Sequence, residues 1–156
     1  MKKILCLILA VLLLTGCGVR ETTAPHTHED LTIHIPVDFL DLSEESFAES
    51  LTFVYALDPI AVNGIRESKE TFRAYGLELT LEQYSNLVMK ANNVAGDLAQ
   101  KDGIWTFAYT SGDYAYIVTS QETADAFWTV QAYCPANQLK KCEKDMWKIL
   151  SSVTVN

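Results

Sequence analysis

Residues 104–120, IWTFAYTSGDYAYIVTS, contain two strand-forming runs on either side of Gly112-Asp113. Glycine at the first central position suits a type II′ turn, so the two runs are predicted to form a β-hairpin. Asp102-Gly103 precedes the first run and suits a type I′ turn, in which both central residues need a positive φ. Residues 94–100 are therefore predicted to pair with the first run. A strand over 126–134 completes a predicted antiparallel meander of four strands.

An amphipathic helix is predicted after the meander. Pro135 suits the first turn of a helix, because its missing N–H would have no partner there anyway. Apolar residues then recur at helical spacing and form a stripe that is expected to cover the sheet. These residues are Leu139, Cys142, Met146, Ile149 and Leu150.

Three strands and one helix are predicted before the meander. Leu31–Pro36 alternates apolar and polar residues and ends in a proline, which cannot donate to a sheet. Residues 51–57 and 60–66 flank the Asp58-Pro59 turn and form a predicted hairpin. Residues 80–83, with the sequence TLEQ, have the pattern of a capping box, which predicts that a helix begins there.

This order of elements resembles that of the PsbP-like family, from the first strand, LTIHIP at 31–36, to the segment DAFWTVQ at 125–131 before the final helix. The family includes a photosystem II extrinsic subunit, a small nuclear-import factor and bacterial lipoproteins. The resemblance covers residues 31–156. It implies an α+β fold, an α/β/α sandwich with a central antiparallel sheet of about six or seven strands and a C-terminal helix packed on it. No residue of this chain matches the metal or partner sites of the family, so none is carried over.

Aromatic residues are concentrated on one face of the predicted meander. A two-residue loop at 112–113 places Tyr109 opposite Tyr116, and Trp105 lies further along the same face. An open face would bind a glycan or a peptide, whereas a face covered by a helix would be ordinary core. Trp105, Tyr109 and Tyr116 are therefore candidate ligand-binding residues, with a core role as the alternative.

The N-terminus has the three regions of a secretory signal peptide: two lysines, an apolar run over 4–14 and small residues before Cys17. The apolar run is shorter than the roughly 20 residues that span a bilayer. Leu14-Thr15-Gly16-Cys17 resembles the lipobox of bacterial lipoproteins, which implies that Cys17 is lipidated and begins the mature chain. The implied diacylglyceryl group would supply the two acyl chains that stable anchoring needs. The expected location is the outer face of a bacterial membrane, with the lipid bilayer as a partner through Cys17.

The chain is therefore divided into a lipoprotein signal peptide at 1–16, a flexible tether at 17–30 and a PsbP-like domain at 31–156. The tether is polar, without an apolar period. His26 and His28, with the carboxylates that follow them, are candidate weak metal ligands. A solvated linker without fixed geometry is the favoured interpretation, so no metal site and no cofactor are predicted.

The charge of the mature chain is strongly negative. Its 20 acidic and ten basic residues give a net charge of −10, since Lys2 and Lys3 are lost with the signal peptide. Nucleic acids and anionic lipid headgroups both need a cationic surface. The net charge therefore argues against both as partners, and leaves cationic proteins, metal ions and neutral glycans open.

Cys134 and Cys142 are the cysteines that remain once Cys6 is removed and Cys17 is lipidated. The first lies on the last strand of the meander and the second on the stripe of the final helix, so their sulfurs are predicted to meet. A disulfide between them would stabilise the fold by about 2.5 kcal/mol. The alternative is two small buried hydrophobic residues.

No catalytic motif is recognisable. The sequence contains no Gly-x-Ser-x-Gly elbow, no phosphate-binding glycine loop, no His-Glu-x-x-His and no Cys–His pair on neighbouring elements. We therefore expect a membrane-anchored extracytoplasmic module without enzymatic activity that binds a protein or an envelope component. The alternative function is a carrier of a small ligand or metal ion, through the aromatic face or the histidines at 26 and 28.

Overall fold

Two antiparallel sheets form the core of the computed structural model, which describes residues 22–45, 48 and 50–156. The strands of the larger sheet are β3 (Leu40–Asp41), β4 (Phe53–Leu57), β5 (Ile60–Ser68), β6 (Ala99–Lys101), β7 (Ile104–Ser111), β8 (Tyr114–Glu122) and β9 (Ala126–Pro135). Their spatial order is β3-β4-β5-β9-β8-β7-β6. The smaller sheet consists of β1 (Thr23–His28), β2 (Leu31–Pro36) and β10 (Thr154–Val155), in the order β1-β2-β10.

The described residues also form three α-helices: α1 (Lys69–Ala74), α2 (Leu81–Ala91) and α3 (Leu139–Leu150), the last preceded by a 3₁₀ turn over Ala136–Gln138. The predicted capping box is confirmed at α2. The Gln83 N–H donates to Oγ1 of Thr80, and the Thr80 N–H donates to Oε1 of Gln83. Within the described part of the chain, no helix is long and apolar enough to cross a membrane.

The larger sheet is covered on both faces. On one face, α3 and the smaller sheet enclose the main core, where Trp128 and Val130 of β9 pack with Ile33 of β2 and Met146 of α3. On the other face, α2 packs Met89 against Phe107 and Val118. The predicted α+β sandwich, with a seven-stranded antiparallel sheet and a C-terminal helix, is confirmed.

The two predicted hairpin turns of the meander are present, but one of its strands is shorter than predicted. Asp102 and Gly103 have φ values of 53° and 82°, as a type I′ turn requires, and Gly112 has a φ of 56°. The predicted strand over 94–100 is reduced to β6. Val94 and Leu98 pack against the buried group of Met89, Phe107 and Val118 beneath α2, and they do not pair with β7.

The prediction of a flexible tether over 17–30 is wrong for residues 23–30. Residues 23–28 form β1, which pairs with β2 in a regular antiparallel register from Thr23 opposite Pro36 to His28 opposite Leu31. The strand forms despite its polar sequence because His26 and His28 contact Tyr55 of the larger sheet. The folded domain therefore begins no later than Thr23.

Candidate functional site

Three tyrosines from three neighbouring strands stack on one another, on the face of the larger sheet that α2 partly covers. Tyr109 on β7 lies opposite Tyr116 on β8, which lies opposite Tyr133 on β9. The ring centroids of Tyr109 and Tyr116 are 4.7 Å apart, with an interplanar angle of 7°; for Tyr116 and Tyr133 the values are 5.2 Å and 26°. We call Tyr109, Tyr116 and Tyr133 the tyrosine ladder. Tyr114 borders it, with its ring edge-on to Tyr133 at 5.9 Å.

The rings of the tyrosine ladder lie face to face. Two coplanar rings cannot bring their centroids as close as 4.7 Å without overlapping, so nearly parallel rings at that distance must be stacked. Both faces of Tyr116 are therefore covered by its neighbours. Tyr116 therefore offers a ligand only its ring edge and hydroxyl, and it does not suit a sugar ring, which stacks on an open aromatic face.

The tyrosine ladder lies at the border of the core that α2 encloses. Phe107 and Val118, one row along the sheet, are buried beneath Met89, whereas the three ladder residues are only half-buried. Tyr114 is 45% exposed. The helix thus covers only part of this face, and the ladder remains accessible along one side.

The hydroxyls of Tyr109 and Tyr133 are held in their neutral form. Partial burial raises the pKa of Tyr109 and of Tyr133 above the ordinary value, and the neighbouring Tyr116 raises both further. Protonated phenols donate and accept hydrogen bonds but do not act as bases or nucleophiles at neutral pH. The ladder is therefore suited to binding by hydrogen bonds.

The structure brings together two of the three predicted ligand-binding residues. Tyr109 and Tyr116 are stacked, as their predicted register indicates. Trp105 lies on the same face, opposite Ser120, but four residues along β7 from Tyr109, which is about 13 Å in a strand. Tyr133 and Tyr114 take its place beside the pair. The sequence pattern missed Tyr133 because it gave no register for β9 against β8.

A groove of about 190 Å³ lies between α2 and strands β5 and β9, next to the tyrosine ladder. Its polar lining comes from Glu67, Asn92, Thr129 and Gln131. The Tyr84 hydroxyl donates to Oε2 of Glu67 at 2.7 Å and lies 2.7 Å from Oγ1 of Thr129. Asn63, opposite Gln131 in the sheet, is buried, and its Oδ1 has no hydrogen-bond partner among the described residues.

The two histidines of the predicted tether converge on one phenol. Nε2 of His28 and Nδ1 of His26 lie 3.0 Å and 3.1 Å from the Tyr55 hydroxyl. Burial, with the nearby Asp41 carboxylate, raises the pKa of Tyr55 to about 12, and the His28 ring stacks on Phe53 at 4.6 Å. One nitrogen of each imidazole is thus engaged. In residues 22–45, 48 and 50–156, no group of three or more His, Cys, Asp or Glu could hold a metal ion.

Cys134 of β9 and Cys142 of α3 are both buried, and both are free thiols. Burial, together with a hydrogen bond to Cys142, raises the pKa of Cys134 to about 11. The two side chains therefore meet beneath α3, and the Cys134 thiol is neutral and poorly reactive there. Cys17, the predicted lipidation site, lies outside the described residues.

Comparison with known proteins identifies the fold. No family model and no curated protein matches the chain. The structure is similar to the solution structure of the cyanobacterial PsbP protein CyanoP from Synechocystis sp. PCC 6803, with a TM-score of 0.60 at 12% sequence identity. The match covers 92% of this chain and 99% of CyanoP. At this identity the likeness concerns the fold alone, and the described chain is therefore a PsbP-like domain in its fold.

Proposed function

We propose that the protein is a non-enzymatic binding module, anchored by lipid at Cys17 to the outer face of a bacterial membrane, that engages a protein partner through the tyrosine ladder. The observation that carries this proposal is the stacked, half-exposed set of Tyr109, Tyr116 and Tyr133, with Tyr114 at its border.

A protein is the favoured partner because of how the tyrosine ladder is built. Tyrosine is enriched at protein interfaces, where it supplies a large contact area at a low cost in side-chain entropy. Stacking with Tyr109 and Tyr133 already orders Tyr116, so little further entropy is lost on binding. Hydroxyl donors and the electropositive ring edges suit the carbonyl and carboxylate oxygens of a polypeptide.

The lipid anchor is supported by the sequence. The charged, apolar and small-residue regions end at Leu14-Thr15-Gly16-Cys17, which resembles a lipobox. Since β1 begins at Thr23, only residues 18–22 would separate the lipidated cysteine from the folded domain. The domain would thus be held close to the membrane, where an accessory subunit of a membrane-bound complex would meet its partner.

The test is a pull-down of the lipidated protein from its own membranes after mild crosslinking. The variant Tyr114→Ala removes an exposed ring at the border of the tyrosine ladder, and Tyr116→Ala removes the central ring. Tyr75→Ala is the matched control, because Tyr75 is 80% exposed and lies at the C-terminal end of α1, away from the ladder. Cys17→Ser tests whether capture requires the anchor.

The proposal expects one stoichiometric protein partner with the unchanged chain and with Tyr75→Ala, and at least tenfold less with Tyr116→Ala, which corresponds to about 1.4 kcal/mol. Equal capture by Tyr75→Ala and Tyr116→Ala would contradict the role of the tyrosine ladder. If Cys17→Ser captured as much partner as the unchanged chain, only the requirement for the anchor would be contradicted, and the role of the tyrosine ladder would stand.

A second candidate function, a carrier of a small polar ligand, is favoured by the groove beside α2. The buried and unpaired Oδ1 of Asn63 lies near its lining residue Gln131, and both suit a ligand that donates hydrogen bonds. A thermal-shift screen of small polar molecules tests it, with loss of the shift in Gln131→Leu as the expected result. A metal carrier has less support, because His26 and His28 already bond Tyr55.

A further inference from the structure

Helix α3 carries four exposed lysines on its outer surface: Lys140, Lys141, Lys144 and Lys148. They are four of the ten basic residues of the mature chain. Successive helical residues are rotated by about 100°, which places all four within an arc of about 100°. This arc lies directly opposite the stripe formed by the buried Cys142, Met146, Ile149 and Leu150. We call these four residues the lysine face.

The acidic residues of α3 do not neutralise the lysine face. Glu143 and Asp145 project from the two flanks of the helix, between the lysines and the buried stripe. None of the four lysines forms an ion pair with another residue in the described part of the chain. The lysine face is therefore a local cationic surface on a chain whose net charge is negative.

The lysine face lies near the expected position of the lipid anchor. Lys148 and Thr23 line the same cleft of about 450 Å³, at the C-terminal end of α3. Thr23 is the sixth residue after Cys17, and six residues span about 20 Å at most, even when fully extended. From Lys140 to Lys148, the lysine face is about 12 Å long. A bilayer that holds Cys17 is therefore within a short distance of all four lysines.

We propose that the lysine face of α3 rests on the membrane surface and binds anionic lipid headgroups, which orients the domain. This inference depends on the lipid anchor at Cys17. A polybasic surface and a lipid chain are complementary anchoring signals, because each lysine adds electrostatic attraction to an anionic leaflet. The expectation from net charge, that anionic lipids are excluded, is thereby revised, because the charge is unevenly distributed.

This orientation leaves the tyrosine ladder free for a partner. Helix α3 packs on the face of the larger sheet that carries Trp128 and Val130, whereas Tyr133, at an odd position of the same strand, lies on the opposite face. With the lysine face on the bilayer, the tyrosine ladder points away from it.

Quenching of site-specific dyes by a lipid-borne quencher tests the orientation. The dye is attached to a cysteine introduced by Asn137→Cys, beside α3, or by Leu87→Cys, on the exposed surface of α2. The native Cys134 and Cys142 are buried and do not compete for the label. Lipidated protein is reconstituted in phosphatidylcholine vesicles with or without phosphatidylglycerol, and vesicle association is measured by co-sedimentation.

With phosphatidylglycerol, the dye at position 137 should be quenched at least about twofold more strongly than the dye at 87. The ratio of quenching at position 137 to quenching at position 87 should fall towards one at high salt, and also in the variant Lys140→Gln/Lys144→Gln/Lys148→Gln. Lys90→Gln, on α2, should leave it unchanged. A ratio of one for vesicle-bound protein would overturn the role of the lysine face while leaving the anchor intact. Failure of the unchanged protein to sediment with vesicles would overturn the anchor, and this orientation with it.

Discussion

The indole N–H of Trp128 donates a hydrogen bond of 2.8 Å to Oδ1 of Asp30. The same carboxylate accepts two hydrogen bonds of 3.2 Å from the Arg66 guanidinium and one of 2.7 Å from the Thr123 hydroxyl. Asp30 lies in the turn between β1 and β2, and Arg66 and Trp128 lie on β5 and β9. This single side chain therefore joins the smaller sheet to the larger one.

Asp30→Ala is expected to lower the free energy of unfolding by about 2–3 kcal/mol. The substitution leaves the largely buried Trp128 N–H and Arg66 guanidinium without their shared acceptor, and an unpaired buried polar group is costly. Urea unfolding at neutral pH measures the effect. Asp97→Ala, in an exposed loop, is the control and should change stability by less than about 0.5 kcal/mol.

The contribution of Asp30 should also depend on pH. Burial alone would raise the pKa of this carboxyl, but hydrogen bonds from Arg66, Thr123 and Trp128 outweigh it and lower the pKa from 3.8 to about 2. Because the folded pKa is below the unfolded one, the stabilisation is complete above pH 3.8 and is lost as the pH falls through about 2. The stability difference between the unchanged protein and Asp30→Ala should shrink over this range. A difference that stays constant down to pH 2 would count against the network.

Gly64 on β5 lies opposite Phe53 on β4, and a Cβ at this position would overlap the Phe53 ring. Gly64→Ala is therefore expected to destabilise the protein by about 1–3 kcal/mol, as overpacking of a core does. Gly96→Ala is the control, because no atom lies within 4 Å of a Cβ there. The double variant Phe53→Leu/Gly64→Ala should be destabilised by less than the sum of the destabilisations caused by the two single substitutions. Additive effects in thermal unfolding would show that the ring is not the cause.

The turns and the buried face of each predicted helix could be predicted because residues close together in the sequence specify them. Asp102-Gly103 and Gly112 specify their turns because few other residues accept a positive φ. The capping box at Thr80 and the stripe of α3 are equally local. Strand β1 could not be predicted in this way, because His26 and His28 are polar and become strand residues only by contacting Tyr55, which is distant in sequence.

The Tyr55 hydroxyl should hold β1 against the larger sheet. Tyr55→Phe removes the oxygen that His26 and His28 both contact, and should lower the free energy of unfolding by about 1–2 kcal/mol. Amide hydrogen exchange in residues 23–28 should accelerate more than exchange in β8. Uniform acceleration in both strands would indicate a global effect and no specific attachment of β1.

Folding should favour the neutral form of His28. Burial lowers the pKa of His28 below 6.5, although the Asp41 carboxylate partly opposes this. The unfolded chain therefore binds a proton more readily than the folded one, so stability from this residue is complete above pH 6.5 and is lost as the pH falls below it. The unfolding midpoint of each protein is measured at one pH below 6.5 and one above it. The two midpoints should differ more for the unchanged protein than for His28→Gln. Equal differences would contradict this.

The thiols of Cys134 and Cys142 should resist both alkylation and oxidation in the folded protein. Both are buried, and a pKa of about 11 leaves Cys134 almost entirely as the less reactive thiol at neutral pH. Mass spectrometry after treatment with iodoacetamide should find both thiols unmodified in the native state and modified after unfolding. A native mass lower by two hydrogens would instead show a disulfide, and reductant would then lower stability by about 2.5 kcal/mol.

Two of the three residues of the tyrosine ladder could be derived from the sequence. The turn at Gly112 fixes the register of β7 against β8, which places Tyr109 opposite Tyr116. Tyr133 joins them through the register of β9, which depends on the connection over 123–125 and its hydrogen bond from the Ala126 N–H to the Thr123 hydroxyl. Tertiary packing decides how much of this face of the larger sheet α2 covers. The exposure of the tyrosine ladder could therefore not be predicted from the strand patterns.

Photo-crosslinking in the native membrane would decide whether the tyrosine ladder is a binding surface. A benzophenone amino acid replaces Tyr114, which is 45% exposed at the border of the ladder, or Tyr75, which is 80% exposed away from it. Both lipidated proteins are irradiated in their own membranes, and the adducts are identified by mass. The proposal predicts one discrete protein adduct from position 114 and none of that mass from position 75. The same adduct from both positions, or none from position 114, would contradict it.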